Sequence, residues 1–176
     1  MLHCALRDAS RRRCCTGRSS TLPLTERDAD TTLVISHAHR RFLNCKRNLK
    51  DKPANAVFLR APQTGGRGGT GPQSMWIWPG LRIVGSGGLV KKGVFATIDS
   101  VSPDGDVVVL DNGASLTASQ AIRSLRLASA MTYAGVQGLS LHGVVRLDCT
   151  DSPHFSLRHL YVGASRCTSS NLLEVC

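Results

Sequence analysis

Apolar residues in this chain come in short runs, and the spacing between runs changes twice along its length. Leu33-Val34-Ile35 is compact and reads as a buried strand. Ser36 stands where a helix N-cap belongs, which predicts a helix over 37–49. Its apolar positions are Ala38, Phe42 and Leu49, a narrow stripe; Arg40, Arg41, Lys46, Arg47 and Lys50 mark the opposite face. Ala56-Val57-Phe58-Leu59 reads as a further strand. From about 75 to 118 the runs crowd together: Met75-Trp76-Ile77-Trp78, Leu81-Arg82-Ile83-Val84, Val94-Phe95-Ala96-Thr97-Ile98 and Val107-Val108-Val109-Leu110. Glycine-rich breaks separate them, and Asn112-Gly113 is a hairpin signal. The longer spacing then returns. Residues 127–133 read as a strand rejoining the main sheet, and 137–141 as a turn or short helix. Val144-Val145-Arg146-Leu147 reads as a strand. Leu157, Leu160, Tyr161 and Ala164 give 156–168 a helical period. Leu172-Leu173-Glu174-Val175 closes as a strand. Strand and helix alternate at both ends, so the fold class is α/β: a parallel sheet interrupted by an antiparallel β insertion.

Composition adds a basic balance. The 176 residues suffice for one domain with a sizeable core, and they carry 22 Lys and Arg against 12 Asp and Glu. Within residues 1–50 the count is 11 against four, so much of the excess is N-terminal. Such a balance favours an acidic partner, most often nucleic acid. Residues 1–31, with Arg11-Arg12-Arg13 and Arg18, read as a basic, disordered tail. They have features of a nuclear basic run and of a mitochondrial transit peptide; the reading favours the nucleus, with the mitochondrion as alternative. Seven scattered cysteines without zinc spacing read as free thiols in a reducing compartment. No apolar run has transmembrane length, so no membrane partner is expected.

The chemistry concentrates near the C-terminus. Arg166 follows Leu160, Val162 and Ala164, apolar residues that anchor its segment. A guanidinium on a rigid element offers a planar fork of donors to a phosphate; a surface arginine near a helix end is the plainer alternative. Other arrangements fail. The glycine-rich stretch 62–72 lacks the Gly-Lys-Ser/Thr ending of a phosphate loop and reads as a flexible linker. Ser165 and His159 are six residues apart on one helix and point to different faces, which excludes a hydrolase pair. Trp76 and Trp78 share one face of a strand, as a core or edge pair or as a base-stacking platform.

Two strings carry a family resemblance: Thr132-Tyr133-Ala134-Gly135-Val136-Gln137-Gly138-Leu139-Ser140, and Tyr161-Val162-Gly163-Ala164-Ser165-Arg166-Cys167-Thr168. They resemble the last two motifs of superfamily 1 helicases of the RecD-like and Pif-like branch, His-Lys-Ser-Gln-Gly-Leu-Thr and Tyr-Val-Ala-Leu-Ser-Arg-Ala-Thr. Ala134 and Gly135 replace the His-Lys pair. Gln137, Gly138 and Leu139 match, Ser140 replaces Thr, and Tyr161, Val162, Ser165, Arg166 and Thr168 match. The resemblance covers about residues 32–175 and implies a second RecA-like domain over 32–176. It places an SH3-like barrel in the insertion and aligns Asn44 with a recurrent asparagine.

The same resemblance implies roles. Arg166 becomes an arginine finger and, with Gly138, a nucleotide contact; Gln137 couples nucleotide state to the strand-binding surface. Thr132, Ser140, Arg40 and Arg41 become contacts to single-stranded nucleic acid, DNA before RNA. No Walker A sequence and no convincing Walker B acid is present. ATP and Mg are therefore expected only where a partner or an N-terminal RecA-like half supplies the phosphate loop, in trans or from a longer chain of which this is a truncated product. The expected function is the C-terminal half of an ATP-dependent DNA helicase motor, inactive alone. The alternatives are a non-catalytic basic nucleic-acid-binding module and a degenerate fragment.

Overall fold

The computed structural model of the chain describes residues 29–62 and 71–176. The tail reading for 1–31 lies outside the described residues as far as 28 and is wrong for the rest, where Ala29 and Thr31 are buried and Thr31 opens the first strand. Most of the linker reading, 63–70, also lies outside the described residues.

Four parallel strands form the main sheet: β1 (Thr31–Val34), β9 (Ala130–Thr132), β10 (Val145–Leu147) and β11 (Leu173–Val175), in the order β11-β10-β1-β9. Leu33 is registered against Leu147 on one side and Met131 on the other. Leu33, Val34, Val145 and Leu147 are fully buried. Each such side chain contributes on the order of 1.5–3 kcal/mol by leaving water, so this short sheet is held by its centre. Ile35, expected in the first strand, falls just past it.

Helix α1 (His37–Asp51) follows at once, its N-terminus capped by Ser36, whose Oγ accepts the His39 N–H at 3.1 Å. Its packing overturns the expected apolar stripe. Ala38 is exposed, Phe42 is 62 % exposed and Leu49 is 47 % exposed. The buried face is polar: Asn44 and Asn48. Asn44 Oδ1 accepts the Ala130 N–H at 2.7 Å, and its amide donates to the Ala130 carbonyl at 2.9 Å. Asn48 does the same with Trp76, at 2.8 Å both ways. Each asparagine thus serves as a pairing partner for a strand backbone that would otherwise be buried unpaired. Periodicity could not show this, because hydropathy scores Asn as solvent-facing.

The insertion is antiparallel, as expected, but longer and differently partitioned. β2 (Val57–Leu59) pairs with β3 (Met75–Ile77) as a two-stranded ribbon. β4 (Arg82–Gly85), β5 (Phe95–Val101), β6 (Val107–Leu110), β7 (Ser115–Thr117) and β8 (Leu125–Leu127) make a five-stranded sheet in the order β7-β6-β5-β4-β8. The Asn112-Gly113 turn joins β6 to β7, with Gly113 at φ +81° and Asn112 Oδ1 accepting the Ala114 N–H. Helix α2 (Ala118–Ser124), unforeseen, carries a full capping box of Thr117 and Gln120. Residues 127–133 are not one strand. Leu127 ends β8, and the chain turns at Ala128–Ser129 before β9 enters the parallel sheet. Of the tryptophans, Trp76 packs on Phe58 with ring centroids 5.0 Å apart, and Lys52 lies over it at 4.6 Å.

Helix α3 (Leu157–Ala164) is shorter than expected, and its face is reversed. Leu157 is 83 % exposed and Tyr161 74 %. Gly163 is the buried residue; a Cβ there would meet Leu147 Cδ2 at 2.5 Å. The helix approaches β10 through its glycine, so its larger apolar residues face outward.

Candidate nucleic-acid and nucleotide interface

The segment after β9 sets the first motif. Thr132 is buried, and its Oγ1 accepts the Gly135 N–H at 3.1 Å, capping a 3-10 turn over Tyr133–Val136. Gln137 and Gly138 follow, both exposed. Gly138 has φ +79° with open space where a Cβ would stand, so backbone conformation rather than crowding demands glycine. Gln137 makes no side-chain hydrogen bond among the described residues.

The second motif lies against the first. α3 ends at Ala164, and Arg166 sits in the turn beyond it rather than on the helix. Its carbonyl accepts the Leu141 N–H at 2.8 Å, and Leu141 bridges Cys167 in parallel. The guanidinium returns the contact: Nη1 donates to the Leu139 carbonyl at 3.3 Å, while Nε and Nη2 donate to Ser165 Oγ. One N–H on each terminal nitrogen stays open. Arg166 is half-buried and forms no ion pair among the described residues. Main chain and side chain together hold the two motifs as one unit.

A second feature lies between α1, the antiparallel sheet and β9. A pocket of about 350 Å³ is lined by His37, Arg40, Lys92, Arg126, Thr132 and Gly135, among others. None of the described residues lining it is acidic. Burial, and then the nearby Arg41 charge, lowers the Arg40 pKa from its ordinary value. Arg126 is lowered by burial and then by Arg40 and Arg41. His37 is lowered by burial and then by Arg40. Like charges that depress one another lose that repulsion when an anion enters.

The predicted site residues divide accordingly. Thr132 and Arg40 meet in the basic pocket; Arg41 adds charge beside it, and its carbonyl accepts from Gln73 Nε2 at 3.0 Å. Ser140 is exposed and does not line the pocket. Gln137, Gly138 and Arg166 belong to the motif unit. Ala134 and Gly135, standing where the resembled motif has His-Lys, both line the pocket. Sequence reasoning missed Arg126, Lys92 and His37. Arg126 had a signal: between Leu125 and Leu127 on a strand, it must point away from the buried face. Arg126 also caps α2, donating from Nη1 to the Ile122, Arg123 and Leu125 carbonyls.

No protein-family model and no curated protein sequence matches the chain. Solved structures do. Pif1 helicase from Candida albicans superposes with TM-score 0.56 at 16 % identity, over 88 % of this chain and 46 % of that one. Bacteroides Pif1 bound to single-stranded DNA gives TM-score 0.56 at 16 % identity, over 82 % and 40 %. A Pif1 structure describing DNA unwinding at forked double-stranded DNA by two coordinating helicases gives 0.56 at 17 %, over 85 % and 39 %. The chain therefore spans less than half the length of these proteins. Over most of its length the chain has the fold of part of these Pif1 helicase structures.

Proposed function

We propose that this chain is the second, C-terminal half of a helicase motor, holding single-stranded DNA in its basic pocket and presenting Arg166 to a nucleotide bound by another half. The observation that carries this is the double tie between Arg166 and the 139–141 segment. It gives the guanidinium a fixed direction while leaving donors open, as charge stabilisation of a phosphoryl group requires. In this reading Gln137, exposed two residues before the Leu139 carbonyl that Arg166 holds, links that arginine to the strand-binding side.

In this reading the ATP and Mg site is completed elsewhere, because the sequence carries no Gly-Lys-Ser/Thr phosphate loop. Where a strand-loop-helix unit would carry a phosphate loop, only Ile35 and Ser36 separate β1 from α1, and Ser36 already occupies the His39 N–H. ATP and Mg, when bound, supply the phosphoryl transfer that drives translocation; this chain contributes the arginine and the strand contacts. The SH3-like character of the insertion and a reducing, nuclear location belong to the same proposal.

The basic pocket supports one other reading, a non-catalytic module that binds single strands through charge alone. Mixing the chain with a separately produced N-terminal RecA-like half separates the two. DNA-stimulated ATP turnover that appears only in the mixture and is lost in Arg166→Ala supports the motor. Turnover by the chain alone overturns it, and DNA binding without turnover in any mixture leaves the module.

A further inference from the structure

We infer that His39, Asp148 and Cys149 form a binding site for a divalent transition ion of the zinc class, independent of the motor reading. His39 Nδ1 lies 3.2 Å from Cys149 Sγ, and His39 Nε2 lies 3.5 Å from Asp148 Oδ2. One donor atom from each residue falls within 4.8 Å of the others. The two His39 contacts use different ring nitrogens, and only one of the two can bind a given ion, so one contact opens as that single nitrogen comes within reach of both other donors. Around a tetrahedral zinc ion, bonded N and S are about 3.6 Å apart, and N and O about 3.4 Å. The widest pair then contracts by at most about 1.4 Å.

Three features place these groups for a ligand. The first is topology. The chain leaving β1 re-enters the sheet at β9 on one side, and the chain leaving β10 re-enters at β11 on the other. β1 and β10 are parallel neighbours, so their carboxyl ends bound a topological switch point, the crevice where open α/β sheets take ligands. His39 lies in the first turn after β1, and Asp148 and Cys149 directly follow β10.

The second is orientation. Asp148 donates its N–H to the Leu33 carbonyl at 2.9 Å, fixing it to the sheet. Its Oδ1 accepts the Cys149 N–H at 2.6 Å, which turns Oδ2 toward His39. Cys149 has φ +64°, the one non-glycine residue at positive φ among those described, and that backbone carries its thiol toward the imidazole. Such strain persists only where its surroundings fix it.

The third is the donor set. Thiolate, carboxylate and neutral imidazole suit zinc, and their two negative charges balance the ion. Cys149 is 8 % exposed, while the His39 and Asp148 side chains keep 28 % and 24 %, an entry path and room for water as a fourth ligand. Binding forms the metal–sulfur bond and releases the thiol proton to solvent.

The test is titration of the whole chain with Co2+ alone. One equivalent is expected to give a near-ultraviolet thiolate-to-cobalt band together with visible bands of a four-coordinate ion. Cys149→Ser is expected to abolish the near-ultraviolet band, His39→Gln and Asp148→Asn to weaken affinity tenfold or more, and Cys45→Ser to leave it unchanged. No band, or a full band in Cys149→Ser, overturns the site. Should Cys149→Ser fail to fold, alkylation of the unaltered chain decides: Zn2+ alone is expected to slow iodoacetamide labelling of Cys149 and not of Cys45. Equal labelling of Cys149 with and without Zn2+ overturns it as well.

Discussion

Asn44→Ala is expected to destabilise the fold by about 3 kcal/mol, although it removes only a polar side chain from a surface helix. Asn44 is 2 % exposed and bonds both the N–H and the carbonyl of Ala130, with a longer contact to the Leu127 carbonyl at 3.4 Å. Truncation leaves a buried N–H and a buried carbonyl unpaired, at about 1–3 kcal/mol each. Domains of this kind have roughly 5–15 kcal/mol in total, so the loss is a large share. Urea denaturation followed by circular dichroism measures it as a fall in midpoint at unchanged slope. Asn44→Asp sharpens the test. It keeps the acceptor for the Ala130 N–H but sets a carboxylate oxygen where the amide donated, 2.9 Å from the Ala130 carbonyl. That carboxyl titrates higher in the folded state than in the unfolded chain. The variant's deficit is therefore greatest at neutral pH and shrinks as pH falls and the acid regains a donor. An Asn44→Ala change below about 0.5 kcal/mol, in the range of ordinary surface substitutions, would refute the pairing argument.

Lys92→Gln and Arg40→Gln should each weaken binding of labelled single-stranded DNA and reduce the slope of log affinity against log salt by about 0.7, read by fluorescence anisotropy; unchanged slopes would remove the pocket from the interface. His37 supplies a pH test, because burial and Arg40 hold it below its ordinary 6.5 and a phosphate beside it raises it again. DNA affinity should rise as pH falls below 6.5, and His37→Gln should flatten that rise; a flat profile in the unaltered chain counts against phosphate in the pocket. The same lowering makes protonated His37 unfavourable for folding, so its contribution to stability declines as pH drops below 6.5. With an N-terminal half restored, Arg166→Lys should cut ATP turnover by about 10³ or more, since a point charge does not reproduce the fork; near-normal turnover would reduce Arg166 to a structural tie.

Elements whose burial follows hydropathy were legible in the sequence. Leu33, Val145 and Leu147 announced parallel strands, and Asn112-Gly113 announced its hairpin. The failures share one physical cause: the contact was made by a residue that hydropathy scores as indifferent or polar. α1 docks through Asn44 and Asn48, and α3 docks through Gly163, so both helices turn their apolar stripes outward. The motif strings located Arg166 and Gln137, but not that Arg166 lies beyond its helix. That depends on where α3 stops, and the Ser165 N–H closing back on the Tyr161 carbonyl is a local event without a sequence signal. The basic pocket was half visible. Arg40 and Thr132 stood out singly, whereas Lys92 comes from the turn between β4 and β5 and Arg126 from β8, parts of a sheet whose position over β9 no periodicity reveals.

One helix sets both regions of interest. On α1, positions 37, 40, 44 and 48 recur at three- and four-residue steps and so share a face. Two of them, Asn44 and Asn48, lock that face to the backbones of β9 and β3. The other two, His37 and Arg40, are thereby carried to the pocket beside Thr132. His39 lies about 100° around the helix from Arg40, in the opposite sense to His37, and its N–H is held by the Ser36 cap. The imidazole then reaches across to Asp148 and Cys149 at the end of β10. A helix docked by an apolar stripe can rotate by small amounts at little cost, because dispersion contacts are non-directional. Paired asparagine–backbone bonds do not permit that rotation, since both distance and angle must hold. The polar docking face that hydropathy misassigned is thus what gives α1's first turn a defined direction.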